Sequence, residues 1–185
     1  AHTATPVAAS GDFPTTARLL PTRTLWKPMG SAVLTAIRRA RGYIYVENPY
    51  LYDKKVTAAL VRARRRGVDV RVVLSRINDF PAGARSNLVT ANYLLAHGIR
   101  VYFYPGMTHV KALLVDDWAL VGSGNLDHLS MRLCLEQNIA TSDPDFAAQL
   151  KRDLFEADFR RSYELTEPIS VTWMDFIADI VMENL

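Results

Sequence analysis

Two short stretches hold most of the residue types able to do chemistry. They are Thr108-His109-Val110-Lys111-Ala112-Leu113-Leu114-Val115-Asp116 and, a turn later, Gly122-Ser123-Gly124-Asn125. Extended backbone sends alternate side chains to opposite faces, so a strand over 109–115 aligns His109 with Lys111 and leaves Asp116 on the opposite parity. The same alternation pairs Ser123 with Asn125 if the backbone stays extended through Gly124. A cation, an imidazole, a hydroxyl and an amide converging at one sheet edge suit a phosphate group. Lys111 and Asn125 can hold non-bridging oxygens, while the imidazole can attack phosphorus or carry a proton. Gly122 and Gly124 let the backbone come close to an anion. His2, His97 and His128 lack such company and read as surface or hydrogen-bonded residues.

Those two stretches need elements to position them. Residues 1–28 are rich in Ala, Thr and Pro without sustained periodicity, and read as an extended arm or connector. From there helical and extended patterns alternate. Gly30-Ser31 opens a helix that stops at Gly42, and Tyr43-Ile44-Tyr45-Val46 is a β-rich strand ending at Asn48-Pro49. Asp53 caps a helix ending in Arg62, Arg64, Arg65 and Arg66, with Gly67 as its stop. A strand over 68–74, a polar loop over 75–85, a helix over 86–97 and a strand over 99–104 follow. Residues 110–115 and 119–121 are separated only by Asp116-Asp117-Trp118, which predicts an antiparallel hairpin. A strand over 133–141 precedes a helix started by Ser142 or Asp143 with Pro144 in its first turn. The alternation predicts an α/β fold, a mixed β-sheet flanked by helices on both faces. The expected division is an arm over 1–28, a catalytic domain over 29–168, and a C-terminal helix over 169–185 packed on the domain or on a partner half.

Composition narrows the function classes. The chain has 185 residues, 49% hydrophobic and 22% charged, which excludes disorder and leaves a core of ordinary size. No apolar run approaches the roughly 18 residues a membrane-spanning helix needs. With 22 basic and 19 acidic residues the net charge is +3, enough for an anionic substrate but no signature of nucleic acid. The single cysteine, Cys134, excludes an internal disulfide framework and cannot make a zinc site alone. The first residue is Ala rather than Met, which reads as a processed or excised piece of a longer chain.

The pattern H-x-K-x4-D followed shortly by G-S-x-N resembles the HKD signature of the phospholipase D superfamily. Glu47-Asn48-Pro49-Tyr50, the run Arg65-Arg66-Gly67-Val68-Asp69-Val70-Arg71, and Asn125-Leu126-Asp127 with Arg132 extend the likeness. Over about residues 30–165 they resemble the second half of bacterial cardiolipin synthase-like members. One departure lies between Asp116 and Gly122, where five residues stand in place of the family's usual six. It falls at the hairpin tip, shortens a turn, and leaves the site in place.

The resemblance implies an enzyme acting on phospholipid phosphodiesters by two steps and without metal or cofactor. One histidine attacks phosphorus to form a phosphohistidine, and a second protonates the leaving oxygen and then activates water or an alcohol. By the same resemblance His109 is a catalytic histidine, Lys111 and Asn125 bind phosphate oxygens, and Ser123 supports them. Glu136 matches the carboxylate that hydrogen-bonds the histidine ring. Asp116 is structural, a role the parity argument supports, and Gly122 shapes the motif. Two histidines are required and one motif is present, so the second comes from a missing N-terminal HKD half or from a second copy of the chain. In two-halved relatives the first half supplies the nucleophile, which gives His109 the acid/base role. A homodimeric HKD endonuclease and a non-catalytic half that binds phosphate groups or a partner chain are the alternatives. The substrate class points to a bacterial, membrane-associated enzyme with peripheral membrane contact.

Other features have plainer readings. The arginines at 62–66 are a helix C-terminus with solvated charges. Tyr50 and Tyr52 stand either at a substrate entrance or as caps on the core. Trp173, Phe176, Ile177, Ile180 and Val181 form an apolar stripe at helical spacing. Asp175, Asp179 and Glu183 accompany it, the wrong sign for anionic lipid, so the stripe is expected to pack on the domain or a partner half.

Overall fold

The computed structural model describes residues 17–22, 28–132 and 134–184. Apart from Ala17–Thr22 and Pro28, the stretch read as a connector lies outside the described residues. Its strands are β1 (Ala17–Thr22), β2 (Tyr43–Asn48), β3 (Asp69–Ser75), β4 (Arg100–Tyr104), β5 (Ala112–Val115), β6 (Trp118–Gly122), β7 (Glu136–Thr141) and β8 (Tyr163–Glu164). They form one sheet in the order β1-β7-β6-β5-β2-β3-β4-β8. Only β2, β3 and β4 run parallel to one another, and every other neighbouring pair is antiparallel. The sheet is therefore mixed, as the sequence alternation implies.

The parallel part follows from crossovers through helices. Helix α1 (Pro28–Arg39) precedes β2, α2 (Lys54–Arg65) joins β2 to β3, and α3 (Pro81–Ala96) joins β3 to β4. Asp53 caps α2 by accepting the Lys55 and Val56 N–H groups, and Gly67 ends it at φ +93, a conformation that favours glycine. Arg64 and Arg66 from the basic end bond carbonyls of neighbouring segments, Gly98 at 2.7 Å and Ile37 at 3.0 Å. Helix α3 begins at Pro81, five residues before the expected start, because Pro at the first position fits a helix whose preceding residue, Phe80, offers no side-chain cap.

Strand alternation divides the core in two. Ile44 and Val46 of β2, with Val70, Val72 and Leu74 of β3, face α1–α3. Tyr43 and Tyr45, with Ala112 and Leu114 of β5, face the helical run of α5 (Pro144–Leu150), a π-helical turn (Lys151–Phe155) and α6 (Glu156–Arg161). Asp143, one of the two caps the sequence offers, accepts the Asp145 and Phe146 N–H groups to start α5.

Two elements differ from expectation. Ala17–Thr22 is an edge strand on β7, with Leu20 buried. The last helix, α7 (Trp173–Asn184), packs on α3 with the face opposite its apolar stripe, so the stripe does not take the domain as its seat. Asp175, Ala178 and Met182 are buried, while Trp173 (71% exposed), Phe176, Ile177, Ile180 and Val181 face solvent. Arg85 on α3 meets Asp175 at 2.7 Å and Ser86 donates to Asp179 at 2.6 Å. The acidic residues are thus drawn inward by partners on α3, and the stripe is left outward.

Candidate active site

β5 and β6 are joined through a two-residue turn, Asp116-Asp117, with Val115 opposite Trp118 and Ala112 opposite Val121. A turn this tight needs positive φ, and Asp116 supplies it at +49, a conformation Asp tolerates. The link between Asp116 and Gly122 is the rest of this turn and β6, paired residue for residue with β5. The Asp116 carboxylate accepts three backbone N–H groups, from Arg41, Gly42 and Tyr43, each at 2.9 Å. Burial alone raises its pKa, but these bonds outweigh it and hold the pKa below the usual value. Asp116 therefore ties the hairpin tip to the start of β2, far from the histidine.

At the other end of β5 the backbone leaves the ladder, so His109, Val110 and Lys111 form an extended lead-in rather than strand. His109 is exposed. The Lys111 ammonium sits 3.3 Å from His109 Nδ1 and donates to the His109 carbonyl at 3.1 Å. Burial lowers the Lys111 pKa, while Glu136, Asp79 and Asp127 oppose this by favouring the charged form. With Nδ1 facing an ammonium, Nε2 is the ring nitrogen free to serve a substrate.

β6 runs out at Gly122, where a Cβ would sit 2.3 Å from Asn138 Oδ1 and 2.4 Å from the Gln137 carbonyl. Glycine is required there by contact with β7. Next, Ser123 donates to the Glu136 carboxylate, and its Oγ accepts the Gln137 N–H at 3.0 Å. Ser130, on the short helix α4 (His128–Arg132), also donates to Glu136 at 3.2 Å. Asn125 is half-buried, and its Oδ1 is buried with no partner. Its amide group bonds Asp127, whose pKa is raised chiefly by burial, against opposing bonds from Ser130 and Asn125. An amide carries two N–H donors, so one remains for a phosphate oxygen.

Lys111, Ser123, Asn125 and Glu136 thus gather around the ends of β5, β6 and β7, with His109 on the lead-in. The Glu136 carboxylate is held by Ser123 and Ser130, and the His109 ring is met by Lys111. Tyr50, for which the sequence leaves a substrate entrance or a cap on the core, is buried against Tyr52 and Met182. Its hydroxyl donates to Asp79, which lowers the Asp79 pKa, and the charge of His109 adds a smaller effect in the same direction. Asp79 is therefore a carboxylate beside the histidine that the pattern did not single out.

Three further residues were missed. Asn138 accepts the Gly124 N–H at 3.1 Å, Ser75 and Glu47 bind Thr108, and each is buried. Buried polar residues inside strands are the signal that could have found them. Among the described residues no group of three His, Cys, Asp or Glu is placed to hold a metal ion, and no helix is long and apolar enough to cross a membrane.

The mixed sheet with helices on both faces defines a phospholipase D-like domain. Its solved neighbours include a phospholipase D family member, Nuc from Salmonella typhimurium, with a TM-score of 0.70 at 19% identity over 82% of this chain and 99% of that one. Phosphatidylserine synthase from Haemophilus influenzae gives 0.67 at 12% identity over 91% and 44%. In sequence, residues 33–158 match the family described as cardiolipin synthase, PLD-like domain, and the chain belongs to that family. Cardiolipin synthase A of Pseudomonas syringae pv. syringae is 40% identical over 135 residues, 71% of this chain. The chain spans 28% of the length of that relative.

Proposed function

We propose that the chain is the C-terminal catalytic half of a phospholipase D/cardiolipin synthase-like enzyme acting on phospholipid phosphodiesters through a phosphohistidine. The observation that carries this reading is the gathering of Lys111, Ser123, Asn125 and Glu136 around one sheet end beside an exposed His109. A histidine nitrogen from the other HKD motif attacks phosphorus, and the P–O bond to the leaving alcohol breaks as His109 gives that oxygen a proton. His109 then takes a proton from water or a second alcohol, whose oxygen displaces the histidine from phosphorus. Lys111 and the Asn125 amide stabilise charge on the non-bridging oxygens throughout. Ser123 and Ser130 hold Glu136 near Lys111, which keeps the cation charged in a partly buried place. Such a substrate brings the working enzyme to a bacterial membrane surface as a peripheral contact.

The short span relative to Pseudomonas cardiolipin synthase A supports an N-terminal half as source of the second motif. In the enzyme carrying both motifs, His109→Ala should lower turnover by about 10²–10⁴-fold while circular dichroism stays unchanged. Ordinary activity in that variant overturns the reading. A second reading is a homodimeric phosphodiesterase, and the fold match that spans 99% of the Salmonella chain allows for it. Sedimentation at several concentrations with a chromogenic phosphodiester assay separates them: a tight, active dimer of this chain supports the second.

A further inference from the structure

We propose that Glu47 and Asn48, consecutive residues at the end of β2, are positioning residues that clamp together the two separate segments of the phosphate site. This rests on the reading of His109 and Asn125 given above. Alternation along β2 sends the two side chains to opposite faces of the sheet, so a single dipeptide can reach both segments.

Glu47 is fully buried, and its Oε1 accepts the Thr108 hydroxyl at 2.6 Å. From the neighbouring strand, Ser75 Oγ accepts the Thr108 N–H at 2.8 Å and donates to the Thr108 carbonyl at 3.1 Å. Every polar group of Thr108 is therefore fixed by β2 and β3, and the next residue is His109. Strand pairing reaches back only to the Lys111 carbonyl, which accepts the Gly122 N–H at 3.3 Å, so beyond it the bonds to Thr108 set where the His109 backbone sits.

Asn48 does the same for the other segment. Its Oδ1 accepts the N–H of Leu126 at 3.4 Å and that of Tyr50 at 3.1 Å. Leu126 directly follows Asn125, and its carbonyl accepts the Asp53 N–H at 3.1 Å, just beyond the isolated bridge of Leu51 with Leu126. The end of β2 thus sets the distance between the imidazole segment and the amide segment. Site groups must be held within about 0.5 Å for productive geometry, and side chains locked by hydrogen bonds are the usual means.

Glu47 Oε2 has no donor, and Asp158 of α6 lies beside it. Glutamine at this position keeps the Oε1 acceptor for Thr108 and offers Asp158 an N–H, whereas alanine removes the clamp. That difference separates positioning from bulk folding. The test uses the full chain and two readouts, the imidazole signals of His109 in long-range ¹H–¹⁵N spectra and hydrogen exchange of the amides over 107–111. The signals are assigned by their loss in His109→Gln. Inorganic phosphate is then titrated.

Glu47→Ala and Thr108→Val should broaden or shift the His109 signals, speed exchange over 107–111, and weaken phosphate binding roughly tenfold. Glu47→Gln should restore all three to near the starting values. Val46→Ala, a neighbouring core truncation, should lower stability while leaving the His109 signals as they were. A wild-type His109 spectrum in Glu47→Ala overturns the proposal, as does Gln behaving like Ala or Val46→Ala behaving like Glu47→Ala. Should Glu47→Ala fail to fold, Thr108→Val and Glu47→Gln decide it alone. If the parent chain shows no phosphate binding, the site reading fails, and the ring and exchange readouts still judge the clamp.

Discussion

The site end of the sheet and the surface of α7 use polar side chains in opposite ways. At the site, buried polar residues from strands hold loops whose working groups stay open to solvent: Glu47 and Ser75 for Thr108, and Asn138 for Gly124. On α7, Asp175 and Asp179 turn inward to Arg85 and Ser86, and a run of large apolar side chains is left outside. A hydrophobic pattern therefore does not by itself say which face is buried. A carboxylate with a cation and an amide waiting for it can take the inward face, because the paired charge no longer carries an unmet desolvation cost. Thr172 and Asp175 strengthen this, since Asp175 accepts the Thr172 N–H and hydroxyl at 2.6 and 2.7 Å just before the helix starts.

The largest effect that can break the comparison lies at the site. If its exposed groups do the chemistry and its buried ones hold them, Lys111→Ala and Asn125→Ala should each lower turnover of the two-motif enzyme by about 10²–10³-fold with little change in thermal stability. A chelator should leave the rate unchanged. Strong inhibition by EDTA, reversed by a divalent ion, would move the chemistry elsewhere.

The next effect is on stability. Burial, opposed by the Thr108 hydrogen bond and reinforced by Asp158, raises the Glu47 pKa from 4.5 to about 7. The folded chain then keeps a proton that the unfolded chain releases. The stability gained is present in full below pH about 4.5 and is lost as pH rises through about 7, by about 3 kcal/mol in total. Asp158, itself paired with Arg161 at 3.4 Å, and Thr108 are the polar groups facing it. Denaturant unfolding of Glu47→Gln between pH 4.5 and 8 should show that slope removed, and an unchanged slope would assign it to other carboxylates.

Much of this was legible beforehand, and what was not has identifiable causes. Asp53, Gly67 and Asp143 mark helix ends because capping is local chemistry, and Asp116 reads as structural because parity already separates it from His109. The hairpin was legible because its turn is two residues long. Edge strand β1 was not, since its pairing depends on β7, more than 110 positions away. Glu47 enters only through the resemblance, because nothing in a one-dimensional pattern places Thr108 on top of it. For α7 the amphipathic pattern is legible, but of the two expected seats for its stripe the domain is not the one used, because Arg85, ninety positions away, holds Asp175 inward.

A smaller effect tests how tightly the site end is built. Gly122→Ala would put a methyl carbon within 2.4 Å of both the Asn138 side chain and the Gln137 carbonyl. Backbone must move, so the variant should lose about 1–3 kcal/mol and loosen the amides around Ser123 in hydrogen exchange. Equal stability with unchanged exchange would show that β6 and β7 separate easily there.

The smallest effect belongs to α7, and it is the one that decides which face is inward. Ile177 and Ala178 are consecutive, the first half exposed and the second buried against α3. If the helix sits as described, Ile177→Ser removes an apolar group that already faces water and should change stability by no more than about 0.5 kcal/mol. Ala178→Leu adds three carbons to a packed seam and should cost about 1–3 kcal/mol. A helix seated on its apolar stripe gives the reverse order, because Ile177 would then be core and Ala178 free to grow. Urea unfolding of the two variants side by side distinguishes the cases, since the comparison is internal and any general effect of altering α7 cancels. A larger loss for Ile177→Ser than for Ala178→Leu would put the stripe inward and undo the contrast between the two regions.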